Sequence, residues 1–426
     1  MSPPTNASPT LAPPRPAGGR ELRPADGRDP YPLRIGIDAR AAAEVPAGRG
    51  RLVRELLRAL AARADEGQRY VLYAREEWHD RSRETRASSE HPRCGQPLDE
   101  RFRWHTIAAR DPWWHVRAAR AANRECDVFL STNSYLTSWM LSVPGVPIVY
   151  DLAPFEPAMR PNRRSAAIER LTLGHGARRS AALLAISHAT AHALAERFPA
   201  TAGRTVVAPL GVAPTLATQL QAAEAAALPP AGFVLAVGTL EPRKNLPRLV
   251  EAYASLDSET IDRHRLVVVG AKGWQTGETL SALRSLGERC AVLGYVSDAA
   301  LAELYRRCAV FCYPSLGEGF GLPVLEAMAA GAAVLTSNVS SLPEVGGDAV
   351  EYADPTDVAS IAAGLRRVLG DESHRTELGR LARERALQFT WERFAERTLE
   401  VLAAAAAREG GPVRGARAPL AQAVDS

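Results

Sequence analysis

Short apolar runs alternate along this chain with longer stretches whose leucines recur at helical spacing. Leu33-Arg-Ile-Gly-Ile-Asp-Ala39 reads as a strand and Pro46-Ala-Gly-Arg-Gly50 as a glycine loop. Arg51 to Arg63, with Leu52, Leu56, Leu57 and Leu60 on one face, reads as a helix. Arg69 to Tyr73, Asp127 to Leu130, Pro147 to Tyr150, Leu183 to Ile186 and Thr205 to Val207 predict further strands, with helix-like segments between several of them. After a stretch of mostly Ala and Pro (219–231) a second series begins. It predicts strands at Phe233 to Val237, Leu266 to Gly270, Ala291 to Leu293, Val310 to Tyr313 and Ala333 to Leu335, and helices at Pro247 to Leu256 and Leu322 to Ala330. Alternating strands and helices imply an α/β chain with parallel sheets covered on both faces. Two such series without a repeated local motif predict two Rossmann-like doubly wound domains facing across a cleft, at 33–218 and 232–390. The residues between them, 219–231, are expected to be a linker, 391–408 a last helix, and 1–32 and 409–426 disordered flanks. In such sheets ligands bind beyond the carboxyl ends of the strands, so the loops there are where chemistry is expected.

Two of those loops carry the chemical signal. In Pro314-Ser-Leu-Gly-Glu-Gly-Phe-Gly-Leu-Pro-Val-Leu-Glu-Ala-Met-Ala-Ala-Gly331 a strand runs into a glycine turn, Pro323 sits just inside a helix start, and Gly331 caps the end. The start of that helix offers free N–H groups and a positive dipole end, which suits a diphosphate. Glu318 stands in the turn and Glu326 inside the helix, so the two carboxylates are expected at different depths of one pocket. The second loop, Val237-Gly-Thr-Leu-Glu-Pro-Arg-Lys-Asn-Leu246, brings Arg243 and Lys244 against the leaving phosphates, so no metal is called for. Lys and Arg total 52, yet lysine occurs only at 244 and 272; where arginine is the default cation, Lys244 marks a place for a compact ammonium.

Together these segments resemble the retaining family 4 glycosyltransferases, which have the two-domain GT-B fold, and the likeness runs from Leu33 to about Ala405. Its most specific element is the pair of glutamates in Glu318-Gly-Phe-Gly-Leu-Pro-Val-Leu-Glu326, joined by Glu241-Pro-Arg-Lys-Asn245. The resemblance implies that Glu318 lies beside the donor sugar and Glu326 hydrogen-bonds the donor ribose. It further implies that the N–H groups of Phe320, Gly321 and Leu322, following Gly319, take the diphosphate with Arg243 and Lys244. Gly238 and Thr239 line the same donor site, and Gly294-Tyr-Val-Ser297, through Tyr295 and Val296, lies along the nucleobase. Ile35-Gly-Ile-Asp-Ala-Arg40 with Ala47-Gly-Arg-Gly50 resembles the first strand and glycine loop, so Gly48 and Gly50 approach the donor phosphates from the opposite domain. Val207-Ala-Pro-Leu-Gly-Val212 resembles the segment leading into the linker. Phe389-Thr-Trp-Glu392 resembles the start of a last helix that crosses back to the first domain. The chain departs from the family at Tyr150-Asp151, where many members have His-Asp, and at Thr239, where many have arginine. Tyr150 and Asp151 are assigned to the donor sugar or acceptor, with the Tyr150 hydroxyl as donor to a sugar hydroxyl. The form Thr-Leu-Glu-Pro-Arg-Lys-Asn resembles bacterial enzymes of surface polysaccharide synthesis. That implies a hexosyl, most readily mannosyl, transfer from GDP-mannose to a glycan or lipid-linked acceptor, the nucleotide sugar being co-substrate with no further cofactor.

The rest of the sequence narrows the field. Hydrophobic residues at 46% and charged residues at 23% are the balance of a globular chain, and no apolar run reaches the length of a membrane span. The first 32 residues lack a basic start and an apolar core, so they do not read as a secretory signal. The five cysteines are scattered, which with the missing signal points to the cytoplasm. A net charge of +4 is compatible with weak peripheral association at an anionic membrane face and gives no argument for nucleic acid. Gly48-Arg-Gly-Arg-Leu-Val53 lacks the third glycine of a dinucleotide fingerprint, and His188 and His192 lack the glutamate of a zinc protease, so that stretch reads as surface helix. Asp111-Pro-Trp-Trp-His115 is the one aromatic cluster in reach of an acceptor sugar or a lipid interface, although paired tryptophans pack in cores by default. Acceptor choice is assigned to first-domain loops such as Arg81 to Arg103. A nucleotide-sugar epimerase or phosphorylase of the same fold, and a non-catalytic assembly protein, stand as alternatives.

Overall fold

The computed structural model describes residues 32–45, 48–64, 67–79, 98–155, 163–212 and 228–409. The first sheet has seven parallel strands: β1 (Leu33–Asp38), β2 (Gln68–Ala74), β3 (Phe102–Thr106), β4 (Val128–Ser131), β5 (Gly145–Val149), β6 (Leu183–Ala185) and β7 (Thr205–Val207). Their order is β3-β2-β1-β4-β5-β6-β7. Its helices are α1 (Arg40–Glu44), α2 (Arg49–Ala62), α3 (Trp113–Glu125), α4 (Arg163–Arg179) and α5 (His188–Arg197). The second sheet has six parallel strands: β8 (Val234–Val237), β9 (Leu266–Val269), β10 (Cys290–Gly294), β11 (Val310–Tyr313), β12 (Val334–Ser337) and β13 (Glu351–Ala353), in the order β10-β9-β8-β11-β12-β13. Its helices are α6 (Leu246–Ala254), α7 (Ser258–Arg263), α8 (Gly277–Ser285), α9 (Asp298–Arg307), α10 (Leu322–Ala330), α11 (Leu342–Gly346), α12 (Val358–Gly370) and α13 (Glu372–Ala386). Strand order reverses beside β1 in one sheet and beside β8 in the other, which puts a crevice at the carboxyl end of each.

The strands form where they do because both faces are covered: β4, β5, β9, β11 and β12 are buried at every residue. Two strands escape the sequence pattern. β3 is a half-buried edge strand rich in polar residues, and β13 has only three residues. Phe102 and Arg103 belong to β3, which corrects the reading of Arg81 to Arg103 as loop; 81–97 lie outside the described residues, as do 1–31, 46–47, 213–227 and 410–426. Helix α2 begins at Arg49 rather than Arg51, because Gly48 (φ 53°) closes the turn and puts Gly50 in the first helical turn. A last helix, α14 (Trp391–Glu409), leaves the second domain and packs on α2, β4 and β5 of the first. It starts against Gly211, where a Cβ would lie 2.2 Å from the Trp391 nitrogen. One buried apolar cluster accordingly runs from Ile35 in the first sheet through Phe394 to Met328 beside the second. No helix among the described residues is long and apolar enough to cross a membrane.

Candidate active site

Helix α10 has the boundaries its punctuation dictates. Gly321 (φ 105°) is its N-cap, Pro323 occupies the first turn, and Gly331 (φ 80°) closes it in the left-handed region that favours glycine. The amides of Phe320, Gly321 and Leu322 find no backbone acceptor among the described residues. The turn ahead of the helix is fixed from β12's following loop: the Glu318 N–H donates to Ser340 Oγ at 3.0 Å, and the Ser341 hydroxyl lies 2.9 Å from the Glu318 and Phe320 carbonyl oxygens.

Glu318 points at the loop after β8. Its Oε1 accepts from Lys244 Nζ at 2.7 Å, Ser315 Oγ at 2.7 Å and the Tyr313 hydroxyl at 2.9 Å, while its Oε2 pairs with Arg243. Lys244 also donates to the Tyr313 hydroxyl, and Arg243 to Glu241 Oε1 at 2.7 Å. Burial pushes the Glu318 carboxyl up, but Lys244 and Arg243 outweigh it and hold the group at about 2. Burial in turn lowers Lys244, against the pull of Glu318. The stem of Lys244 lies over Gly238 (φ 147°), where a Cβ would stand 3.1 Å from Lys244 Cε. Asn245, itself left-handed at φ 59°, pins the loop by donating to the Pro314 and Pro355 carbonyls at 3.0 and 2.6 Å. Six residues from two segments some seventy positions apart thus form one half-buried charged cluster beside an open helix end, an arrangement able to hold and polarise an anion.

Residues 223–385, which contain both segments, match the family model described as glycosyl transferases group 1. The match thus falls on the second domain and the residues just before it. Among the chain's relatives, O-antigen chain mannosyltransferase B of Escherichia coli is 44% identical over 171 residues, covering 39% of this chain and 45% of that protein. The MMP alpha-(1->4)-mannosyltransferase of Mycolicibacterium hassiacum is 32% identical over 237 residues, covering 54% of this chain and 56% of that protein. The chain therefore spans about half the length of the curated relatives it matches. The solved structure of sucrose-phosphate synthase from Thermosynechococcus elongatus covers 88% of this chain and 100% of its own at a TM-score of 0.69 and 21% identity, a likeness of fold. That fold is GT-B, with two Rossmann-like domains across a cleft.

Within the matched segment the second carboxylate of the motif keeps different company. Glu326 is buried, pairs with Arg51 of helix α2, and accepts from the Tyr305 hydroxyl at 3.2 Å. Arg51 also reaches Asp298 at 2.7 Å, so one guanidinium of the first domain holds two carboxylates of the second. Burial raises the Glu326 carboxyl, with Arg51 opposing it. Glu318 and Glu326 share no partner; the rings of Tyr305, Phe311 and Tyr313 stand between, with successive centroids 5.3 and 5.7 Å apart.

The domains touch at further points. A Cβ on Gly319 would lie 1.9 Å from the Tyr150 carbonyl oxygen, and the Thr190 hydroxyl lies 3.2 Å from the Gly319 carbonyl. Glu344 accepts the His188 amide at 2.8 Å, at the start of α5. What approaches Gly319 so closely is therefore the backbone of the opposite domain. Gly50 is likewise small for the chain's own sake, since a Cβ there would lie 1.7 Å from the Val45 carbonyl; Gly48 has open space in that direction. The expected role of the Tyr150 hydroxyl is corrected: its hydrogen goes to the Thr132 carbonyl at 2.6 Å, and burial pushes the phenol up, so it has none to offer a sugar. The Asp151 carboxylate turns back to the Ala153 amide at 3.0 Å. Thr239 and Tyr295 are exposed and Val296 is half-buried. The paired tryptophans divide, Trp114 being fully buried and Trp113 67% exposed. Arg51, Tyr305, Tyr313, Ser315 and Glu344 escaped the sequence reading; Arg51 read only as the start of a helix after the glycine loop.

Proposed function

We propose that this chain is a retaining mannosyltransferase that takes GDP-mannose as donor and a hydroxyl of a glycan or lipid-linked acceptor. The observation that carries the reading is the half-buried cluster of Glu318, Arg243 and Lys244 at the open start of helix α10. The mannosyl assignment leans on the printed names of the two relatives.

In this reading the diphosphate sits on the amides of Phe320, Gly321 and Leu322, with Arg243 and Lys244 against its outer phosphate and Glu326 on the ribose. Glu318, held at about 2, stays ionised near neutral pH. It is then no general acid and a poor base, since those need a pKa near the working pH. Its work is to hold Arg243 and Lys244 in place, at the cost of some of their field. Catalysis comes from positive potential prepared on the leaving phosphates as the glycosyl–oxygen bond lengthens. The acceptor hydroxyl enters on the face the phosphate leaves, and a phosphate oxygen takes its proton. The contacts between Gly319 and Tyr150 and between Arg51 and Glu326 close the cleft and keep water from the donor.

A panel of nucleotide sugars, scored for released nucleoside diphosphate with and without glycan acceptors, tests the proposal. GDP release from GDP-mannose, raised by acceptor, is expected, with an α-linked product by NMR. A β-linked product overturns retention, release from uridine nucleotides alone overturns the donor, and no release from any donor overturns the transferase reading.

A further inference from the structure

The motif Asp111-Pro-Trp-Trp-His115 plays no part in the donor site, yet it stands at the carboxyl edge of the first sheet. It follows β3 and opens helix α3, next to the loop after β1. Trp114 is fully buried under Arg40, whose Cζ is 3.7 Å from its ring centroid, and Arg40 is itself locked to buried Asp38 at 2.8 Å. This anchor fixes the first turn of α3, so Trp113, the residue before it, is presented to solvent by a rigid backbone.

Beside it Asp111 is 54% exposed and oriented by three groups: Arg75 at 2.8 Å, Arg40 at 3.3 Å and His115 at 3.5 Å. All three reach Oδ1, which leaves Oδ2 without a donor among the described residues. We infer that Trp113 and Asp111 form a sugar-binding subsite for a pyranose unit of the acceptor glycan, an inference that rests on the transferase reading above. A pyranose has a C–H face and a rim of hydroxyls. The indole buries the first, and a fixed carboxylate with a spare oxygen accepts hydrogen bonds from the second. A lipid surface suits the pair less well. An interfacial anchor lays down a broad apolar face, whereas Trp113 is the one large apolar side chain of helix α3 that is exposed among the described residues.

The test uses the full chain. Binding to an array of mannose-, glucose-, galactose- and N-acetylglucosamine-terminated oligosaccharides is measured for wild type, Trp113→Ala and Trp113→Phe, with GDP affinity measured in parallel. The subsite predicts glycan binding by wild type, a loss of about tenfold in Trp113→Ala, and recovery to within about threefold in Trp113→Phe, as an exposed aromatic anchor should show. GDP affinity and Tm stay unchanged in both variants. Glycan binding equal in wild type and Trp113→Ala overturns the subsite, as does a wild type that binds no glycan. Wild-type binding to phosphatidylglycerol vesicles that is lost in Trp113→Ala also overturns it, in favour of a lipid contact. Failure of the donor reading would appear separately, as absent GDP binding in wild type.

Discussion

The carboxyl edges of the two sheets are built to opposite plans. In the second domain Arg243, Lys244 and Glu318 gather beside amides that the chain leaves open, so the edge is electrically prepared for a guest. In the first domain the polar groups at the corresponding edge are spent on one another. Arg40 is enclosed by Asp38 and Trp114, the Thr132 hydroxyl donates to the Asp38 carbonyl, and Tyr150 donates to Thr132. One edge stores potential; the other stores rigidity and exposes only a few groups, Trp113 and Asp111 among them.

That contrast can be broken by substitution, beginning with the strongest effect. Arg40→Ala strands Asp38 as a buried charge and should cost about 3–5 kcal/mol of stability, read by denaturant unfolding. A cost under about 1 kcal/mol would mean the first edge is not the rigid scaffold described. Lys244→Ala should instead lower turnover about a hundredfold, since it removes prepared positive charge from the transition state, with little change in Tm. Wild-type turnover in this variant would remove the electrostatic distinction between the edges. Gly319→Ala inserts a methyl where the Tyr150 carbonyl stands 1.9 Å away and should hold the domains apart. Transfer then drops about tenfold, while uncoupled donor hydrolysis rises relative to it. Small-angle scattering should show a larger radius of gyration, and unchanged scattering would put the contact outside the closing motion.

The smallest effect is a pH dependence. Glu318 is held below the ordinary carboxylate value, at about 2, so its contribution to stability is present above the unfolded pKa and is lost as pH falls toward 2. The stability difference between wild type and Glu318→Gln should therefore shrink from about pH 4.5 downward. A difference that stays flat to pH 2 would show that the cations do not hold the carboxylate ionised.

How much of this was readable in the sequence follows the same division. Helix α10 runs from Leu322 to Ala330 as its proline and glycines require, because those residues act through local backbone geometry. Arg243, Lys244 and Glu318 were legible because each sits in a short, distinctive segment. Arg51 was not, since Glu326 lies 275 positions away and nothing near Arg51 encodes the meeting. The same holds for Arg40 and Asp111, 71 positions apart. The tryptophan pair misled by half: neighbours on a helix point about 100° apart, so burial of Trp114 forces Trp113 off the core. β3 was hidden because an edge strand needs no continuous apolar run.

The return of α14 to the first domain makes order along the gene differ from order in space. Among the described residues, a fragment of 228–390 has all six strands of its sheet and the helices α6 to α13 that follow them. Its complement, stopping at Val212, lacks the helix seated on α2, β4 and β5 and would bare an apolar strip there. The two halves are therefore unequal in independence, and the first would need residues 391–409 supplied, in cis by a permuted chain or in trans as a peptide, to stay dissolved.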